Sequence, residues 1–184
     1  NVITLAVASP FSEMSPRFDD QSKRVAFSRK NNGSEDLFIF EAGQMTPRVG
    51  GGGDQSRPIW SGDQVVFFSN ERGDDHWDVA VSGSVGDKRV VARDIRLPLR
   101  ATPALSPDGQ WVAWGSSIPE KASAIHLTRL DGSKTVAIET GLVATGEPAL
   151  STSDGRTYLA FTALPSEGAA WRQLHVIDVT GKLK

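Results

Sequence analysis

The stretch RPIWSGDQVVFFSNERGDDHWDVAVSG, residues 57–83, runs from a proline and a tryptophan through a tight turn, an apolar strand and an acidic loop, then through a second apolar stretch to a glycine. If it occurs once, Asp74, Asp75, His76 and Asp78 read as metal ligands; if it repeats, they read as scaffolding. It repeats. Four prolines are each followed two positions later by a large apolar residue: Pro16 and Phe18, Pro58 and Trp60, Pro103 and Leu105, Pro148 and Leu150, at spacings of 42, 45 and 45 residues.

Each proline motif leads into a turn (DDQSK, SGDQ, SPDGQ, STSDGRT) and then a short apolar strand at 24–28, 65–69, 111–115 and 158–162. A third strand follows and ends at Gly43, Gly83, Gly132 or Gly181, and a more polar fourth strand comes after it as MTPRV, KRVVA or KTVAIE. The second strand reads as continuously apolar and the last alternates with charge, the gradient expected from the inside of a blade to its rim. A four-stranded sheet has two faces to cover, and stacking copies about an axis covers them while leaving only short edges. Units of 40 to 45 residues with four strands are the signature of an all-β propeller. The predicted fold is therefore a β-propeller of four-stranded antiparallel blades, a single domain over 1–184. Its blades run over about 16–49, 58–92, 103–139 and 148–181, and strand 2–7 is placed to serve as the outer clasp strand of the last blade. Four blades closed by such a clasp, and four consecutive blades of a larger ring, leave the same pattern in the sequence.

Composition agrees. The 184 residues include 18 Gly and 10 Pro, turn signals recur every 8 to 12 residues, and no 3.6-residue periodicity is sustained. A formal net charge of −2 argues against a nucleic-acid or anionic-membrane binder, which needs clustered Lys and Arg. No apolar run approaches the length of a membrane span, and the opening NVITLAVASPF lacks the basic start of a signal sequence. With no initiator Met, the chain reads as a processed or excised segment. The absence of cysteine excludes disulfides and thiolate metal sites.

The pattern Pro-x-Trp/Phe, Ser-Pro-Asp-Gly, apolar strand, Asp-hydrophobic-aromatic, Asp-Gly resembles the WD40-like (PD40) repeat of the TolB propeller family across essentially the whole chain. SPDGQWVAW (106–114) and SNERGDDHWDV (69–79) match it best. Copies one and two keep the family's Asp before the third strand, as Asp36 and Asp78; copies three and four carry Ala124 and Gln173 there. The resemblance implies a periplasmic or other bacterial extracytoplasmic setting and action by protein–protein contact, as an interaction or sensory module. Related propellers also serve as accessory domains of peptidases and as metal-using sugar-acid lyases.

The chemistry-like residues read mainly as scaffold. The 72–78 cluster lacks the ligand alternation and closing Glu of a calcium loop, and Asp78 falls on the recurring Asp that fixes a turn by accepting backbone N–H groups. Arg72-Gly73-Asp74 spells an integrin motif at repeat positions. His126 and His175 occupy the slot held by Phe38 and Ala80 in the other copies, and neighbouring blades stand too far apart to share one ion. VGGGGDQS (49–56) has no Lys-Ser/Thr after it and joins strand to strand, so it reads as a flexible connector. There is no Gly-x-Ser-x-Gly elbow, no catalytic residue is assigned, and neither cofactor nor metal is implied.

What remains is the rim of loops entering the inner strands: FSEMS (11–15), GDQSR (53–57), PLRAT (98–102) and VATGE (143–147). Function commonly lives on loops held by such a scaffold. They supply Glu13, Met14, Asp54, Arg57, Leu99, Arg100, Thr102, Thr145 and Glu147, a mixed polar and apolar surface suited to a protein or peptide partner. The expected function is a non-enzymatic protein- or peptide-interaction module. The alternatives are an accessory propeller of a larger enzyme and a structural spacer, including half of a homodimeric eight-bladed ring.

Overall fold

The computed structural model describes residues 9–73, 75–97, 101–116 and 123–183. The strand proposed at 2–7, together with Asp74, Leu99 and Arg100, lies outside them. Among the described residues the chain is all β apart from one 3₁₀ turn, Thr180–Lys182, and it has no helix long and apolar enough to cross a membrane. The strands form four antiparallel sheets, each in simple chain order. The first holds β1 (Ser12–Phe18), β2 (Arg24–Asn31), β3 (Ser34–Glu41) and β4 (Gln44–Val49). The second holds β5 (Asp54–Ser61), β6 (Gln64–Asn70), β7 (Trp77–Ser82) and β8 (Arg89–Ile95). The third holds β9 (Ala104–Leu105), β10 (Trp111–Ser116), β11 (Ala124–Arg129) and β12 (Thr135–Glu139). The fourth holds three strands among the described residues, β13 (Val143–Ser153), β14 (Arg156–Leu164) and β15 (Gln173–Asp178).

The chain divides into two compact units, Asn1–Asp74 with Ala80–Arg89, and Asp75–Val79 with Val90–Lys184. Each has its own core, built the same way. In the first unit Ala26, Leu37, Ile39 and Val49 of the first sheet pack against Trp60, Val65, Phe67 and Ala80 of the second. In the second unit Ala113, Ile125 and Leu127 of the third sheet pack against Leu159, Phe161, Ala163 and Val179 of the fourth copy. Within each unit one sheet thus presents mainly aliphatic residues, joined by Trp111 in the third sheet, to the aromatic-bearing face of its partner. Successive side chains point to opposite faces and both faces are covered, which is why β10 is buried end to end and β6 is buried at every position between its two end residues.

The inner strands begin earlier than the sequence reading places them. β1, β5 and β13 start four or five residues before their prolines, so the segments 11–15, 53–57 and 143–147, read above as loops, are mostly strand. The device is a bulge. Pairing runs Met14↔Ser28 then Arg17↔Ala26, Ser56↔Phe68 then Ile59↔Val66, and Gly146↔Thr162 then Ala149↔Ala160. Two residues, Ser15-Pro16, Arg57-Pro58 or Glu147-Pro148, therefore stand opposite the single aromatic Phe27, Phe67 or Phe161. A proline lacks the N–H that a ladder needs, and a bulge is where its loss costs nothing. The residue before each proline is left-handed, with φ of 52° at Ser15, 56° at Arg57 and 52° at Glu147. In the third copy the ladder begins only at Ala104, after Pro103.

The turns use the expected chemistry, and Asp19 shows it best. Its Oδ1 accepts the N–H groups of Lys23 (2.8 Å) and Arg24 (3.1 Å), and its Oδ2 pairs with Arg24 Nε at 2.8 Å. The Arg24 guanidinium and these amides hold the Asp19 carboxyl below the usual carboxylate range. Hydrogen bonds from Ser133 and from Thr180 do the same for Asp131 and Asp178. A carboxyl whose pKa is depressed by folding adds stability above its unfolded pKa, about 3.9, and that stability is lost as pH falls through the folded value. The melting temperature should therefore drop as pH is lowered below about 4, and Asp19→Asn should flatten part of that decline. An unchanged pH profile in the variant would place the sensitivity elsewhere.

Candidate functional site

The rim residues fall into two groups, one in each unit. In the first unit, Glu13 on β1 pairs with Arg29 at 3.1 Å, and Arg29 also lies over the Phe38 ring at 4.7 Å. The Met14 carbonyl accepts from Ser28 Oγ at 3.4 Å. Asp54, at the first position of β5, accepts the Glu35 N–H at 2.9 Å and so ties the hairpin tip of the first sheet to the entry of the second. Burial pushes the Glu35 carboxyl up, opposed by a hydrogen bond from Ser28, while the Asp54 charge raises it further and Lys30 and Arg57 pull it down. Burial likewise lowers the Arg57 guanidinium, which Glu35 partly restores. Glu35, Asp54 and Arg57 thus form a half-buried mixed-charge cluster beside the bulge at Arg57. Glu35 was not among the sequence candidates, because only the register of β2 and β3 places it beside the next copy's entry.

In the second unit, Glu147 is exposed and accepts from Thr162 Oγ1 at 2.8 Å. Thr145 is fully buried and its hydroxyl has no hydrogen-bond partner among the described residues. Its carbonyl lies so close to Gly115 that an added Cβ there would sit 2.8 Å from it, so this junction needs a residue without a side chain. Thr102 is half-buried just before Pro103.

The acidic stretch is absorbed by pairing. Asp75 meets Arg96 at 3.6 Å, His76 contacts Asp94, and Asp78 accepts the Asp94 N–H at 2.9 Å, so that it ties β7 to the neighbouring strand β8 rather than fixing a turn. Among the described residues no three His, Asp or Glu side chains converge as a metal site. The two histidines sit in aromatic slots: His126 stacks on Trp114 with centroids 4.1 Å apart, and His175 on Phe161 at 5.4 Å.

One arrangement was not legible in the sequence. Ser116 Oγ lies 2.8 Å from His126 Nε2, because antiparallel pairing of β10 with β11 turns a ten-residue separation into adjacency. Burial lowers the His126 pKa, which favours the neutral imidazole, with Glu139 acting in the opposite sense. Both line a groove of about 470 Å³ whose other walls include Val91, Ile95, Arg93 and Arg96 of the β8 segment.

Neither a protein-family model nor a curated protein sequence matches the chain. Solved structures do. A putative TolB from Agrobacterium tumefaciens superposes with a TM-score of 0.67 at 17% identity, over 89% of this chain and 60% of that one. TolB from Acinetobacter baumannii gives 0.54 at 15% identity, over 88% and 44%. A prolyl endopeptidase gives 0.60 at 15% identity, over 91% of this chain but 27% of that one. The chain thus spans 60% and 44% of the lengths of these two TolB proteins. Four blade-like sheets in the cadence of Pro16, Pro58, Pro103 and Pro148, together with these superpositions, establish the fold as that of the TolB-like β-propeller repeat.

Proposed function

We propose that the chain is a non-enzymatic interaction module that presents the entry ends of its inner strands to a protein or peptide partner, in a periplasmic or other extracytoplasmic setting. One observation carries this reading: Ser15, Arg57 and Glu147 are all held left-handed at equivalent bulges. Such backbone costs on the order of 1–3 kcal/mol for a residue other than glycine, and strain of this kind collects where side chains must be aimed. Here it re-aims the entry ends of β1, β5 and β13, beside Glu13, Met14 and Asp54 in the first unit and Thr145 in the second. The structural relatives contribute the fold, and the TolB likeness favours binding over catalysis.

The test is capture from a bacterial envelope extract by immobilised protein, comparing the wild type with a Glu13→Ala/Arg57→Ala/Glu147→Ala variant of unchanged melting temperature. Loss of rim charges should weaken capture by about tenfold. Undiminished capture of every partner would reject this surface.

A second reading, hydrolysis, has the Ser116–His126 contact in its favour. Turnover of activated esters that Ser116→Ala abolishes would support it.

A further inference from the structure

We propose that the outer edge of β8 is a second recognition surface, and that it takes an extended peptide in which acidic and apolar residues alternate, added to the second sheet as a further strand. The inference goes beyond the rim function and holds or fails without it. β8 ends the strand order β5-β6-β7-β8, so one of its edges pairs with β7 and the other meets no strand among the described residues. A groove of about 470 Å³ runs beside it, and every residue of its lining belongs to the second unit. A groove over one face of a strand is lined by alternate residues. This one is lined by six in a row, Val91 to Arg96, so the backbone of the strand borders it. Backbone N–H and C=O groups along an unpaired edge are a template for another strand. β4, the corresponding edge of the first sheet, is blunted by Pro47, whereas β8 contains no proline. Asp94, left-handed at φ of 57°, ends the regular stretch and confines pairing to the residues before it.

The rest of the lining comes from the third sheet and decides which side chains the added strand carries. Trp114 and His126, stacked with centroids 4.1 Å apart, stand there with the hydroxyls of Ser116 and Thr135. With Val91 and Ile95 they make a mainly apolar lining, suited to the apolar side chain that an added strand turns inward at every second residue. The charge comes from Arg93 and Arg96, whose side chains are 72% and 43% exposed. Their acidic neighbours stand 4.0 Å away, at Asp78, and 3.6 Å away, at Asp75, beyond hydrogen-bonding length. Both guanidinium groups therefore keep donors for an incoming carboxylate, the partner they hold best. The acid within the lining, Asp94, is already in contact with His76. Main-chain hydrogen bonds along β8 would supply affinity, and the alternating side chains specificity.

The test titrates the full chain into a fluorescein-labelled peptide of sequence Glu-Val-Glu-Phe-Glu-Val-Glu and follows anisotropy. Saturable binding is expected. A strand pairs through one edge, so methylating one alternate set of the peptide's amide nitrogens should weaken binding by about tenfold or more, and methylating the other set should spare it. Lys in place of Glu throughout the peptide, and Arg93→Gln/Arg96→Gln in the protein, should each weaken binding by about tenfold, with the melting temperature unchanged because both arginines are largely exposed. The Glu13→Ala/Arg57→Ala/Glu147→Ala rim variant should bind the peptide as the wild type does. No saturation up to millimolar protein would overturn the proposal, as would equal effects of the two methylation patterns, which would mean attraction between side chains without strand pairing. Full affinity in the arginine variant, or affinity lost with the rim variant, would place the peptide elsewhere and overturn it too.

Discussion

Replacing Trp60 by alanine is expected to destabilise the first unit by about 3–5 kcal/mol, enough to consume much of the 5–15 kcal/mol typical of a domain. Three interactions end together. The indole is 7% exposed in a core with Leu37, Ile39 and Phe67, so its removal leaves a cavity that sheets pinned by ladder hydrogen bonds cannot close. Its Nε1–H donates to the Arg17 carbonyl at 3.0 Å, holding the end of β1 against the second sheet. The Arg24 guanidinium lies 4.4 Å over the ring and is itself fixed by Asp19 and Asp63. Trp60→Phe should cost less, because most of the volume stays and only the indole hydrogen bond and part of the cation–π contact go; about 1–2 kcal/mol is expected. Trp171, 81% exposed, is the internal control, and Trp171→Ala should stay within about 0.5 kcal/mol of the wild type. Urea denaturation followed by circular dichroism ranks the three, and equal losses at Trp60 and Trp171 would refute the packing described.

Trp60 is visible in the sequence because a large apolar residue recurs two positions after Pro16, Pro58, Pro103 and Pro148, which marks a strand position facing a neighbouring sheet. The face it lies on followed from alternation. The upstream half of each inner strand was not visible. Proline normally ends a ladder, and Ser15, Arg57 and Glu147 are not residues that favour left-handed backbone, so no local signal announced a strand running through them. Only the three-dimensional pairing shows Phe27, Phe67 and Phe161 each facing a two-residue bulge. Charge pairing at the entry was hidden for a similar reason. Glu13 was recognised as a rim residue, but its partner Arg29 comes from a neighbouring strand whose register sequence spacing alone does not specify. His126 stacks on Trp114 and His175 on Phe161 in a slot that holds Phe38 in the first copy, so the slot, more than the residue type, dictates this packing.

Gly53→Ala is the other substitution with a large expected effect, and it divides a run of glycines that looks uniform in the sequence. An alanine Cβ at Gly53 would stand 1.7 Å from the Asn70 carbonyl oxygen and 2.6 Å from its carbon, and the residue has φ of +71°. Both obstacles are backbone, so no rotamer relieves them: either β5 or the exit of β6 must move. Asp54 would move with it, releasing the Glu35 amide and the cluster around Arg57. Left-handed strain alone costs about 1–2 kcal/mol, and forced displacement of a packed strand adds 1–3 kcal/mol or more, so about 3 kcal/mol or more is expected in all. Gly52 is one residue away, has no left-handed requirement, and meets nothing closer than the Glu71 carbonyl at 4.0 Å. Gly52→Ala should therefore be neutral or raise stability by about 0.4–1 kcal/mol, since alanine restricts the unfolded chain more than glycine does. If 50–53 were simply a flexible connector, the two variants would melt together. A separation of several degrees, with Gly53→Ala also losing rim-dependent capture, is the outcome that follows from a close backbone crossing at the entry of the second sheet.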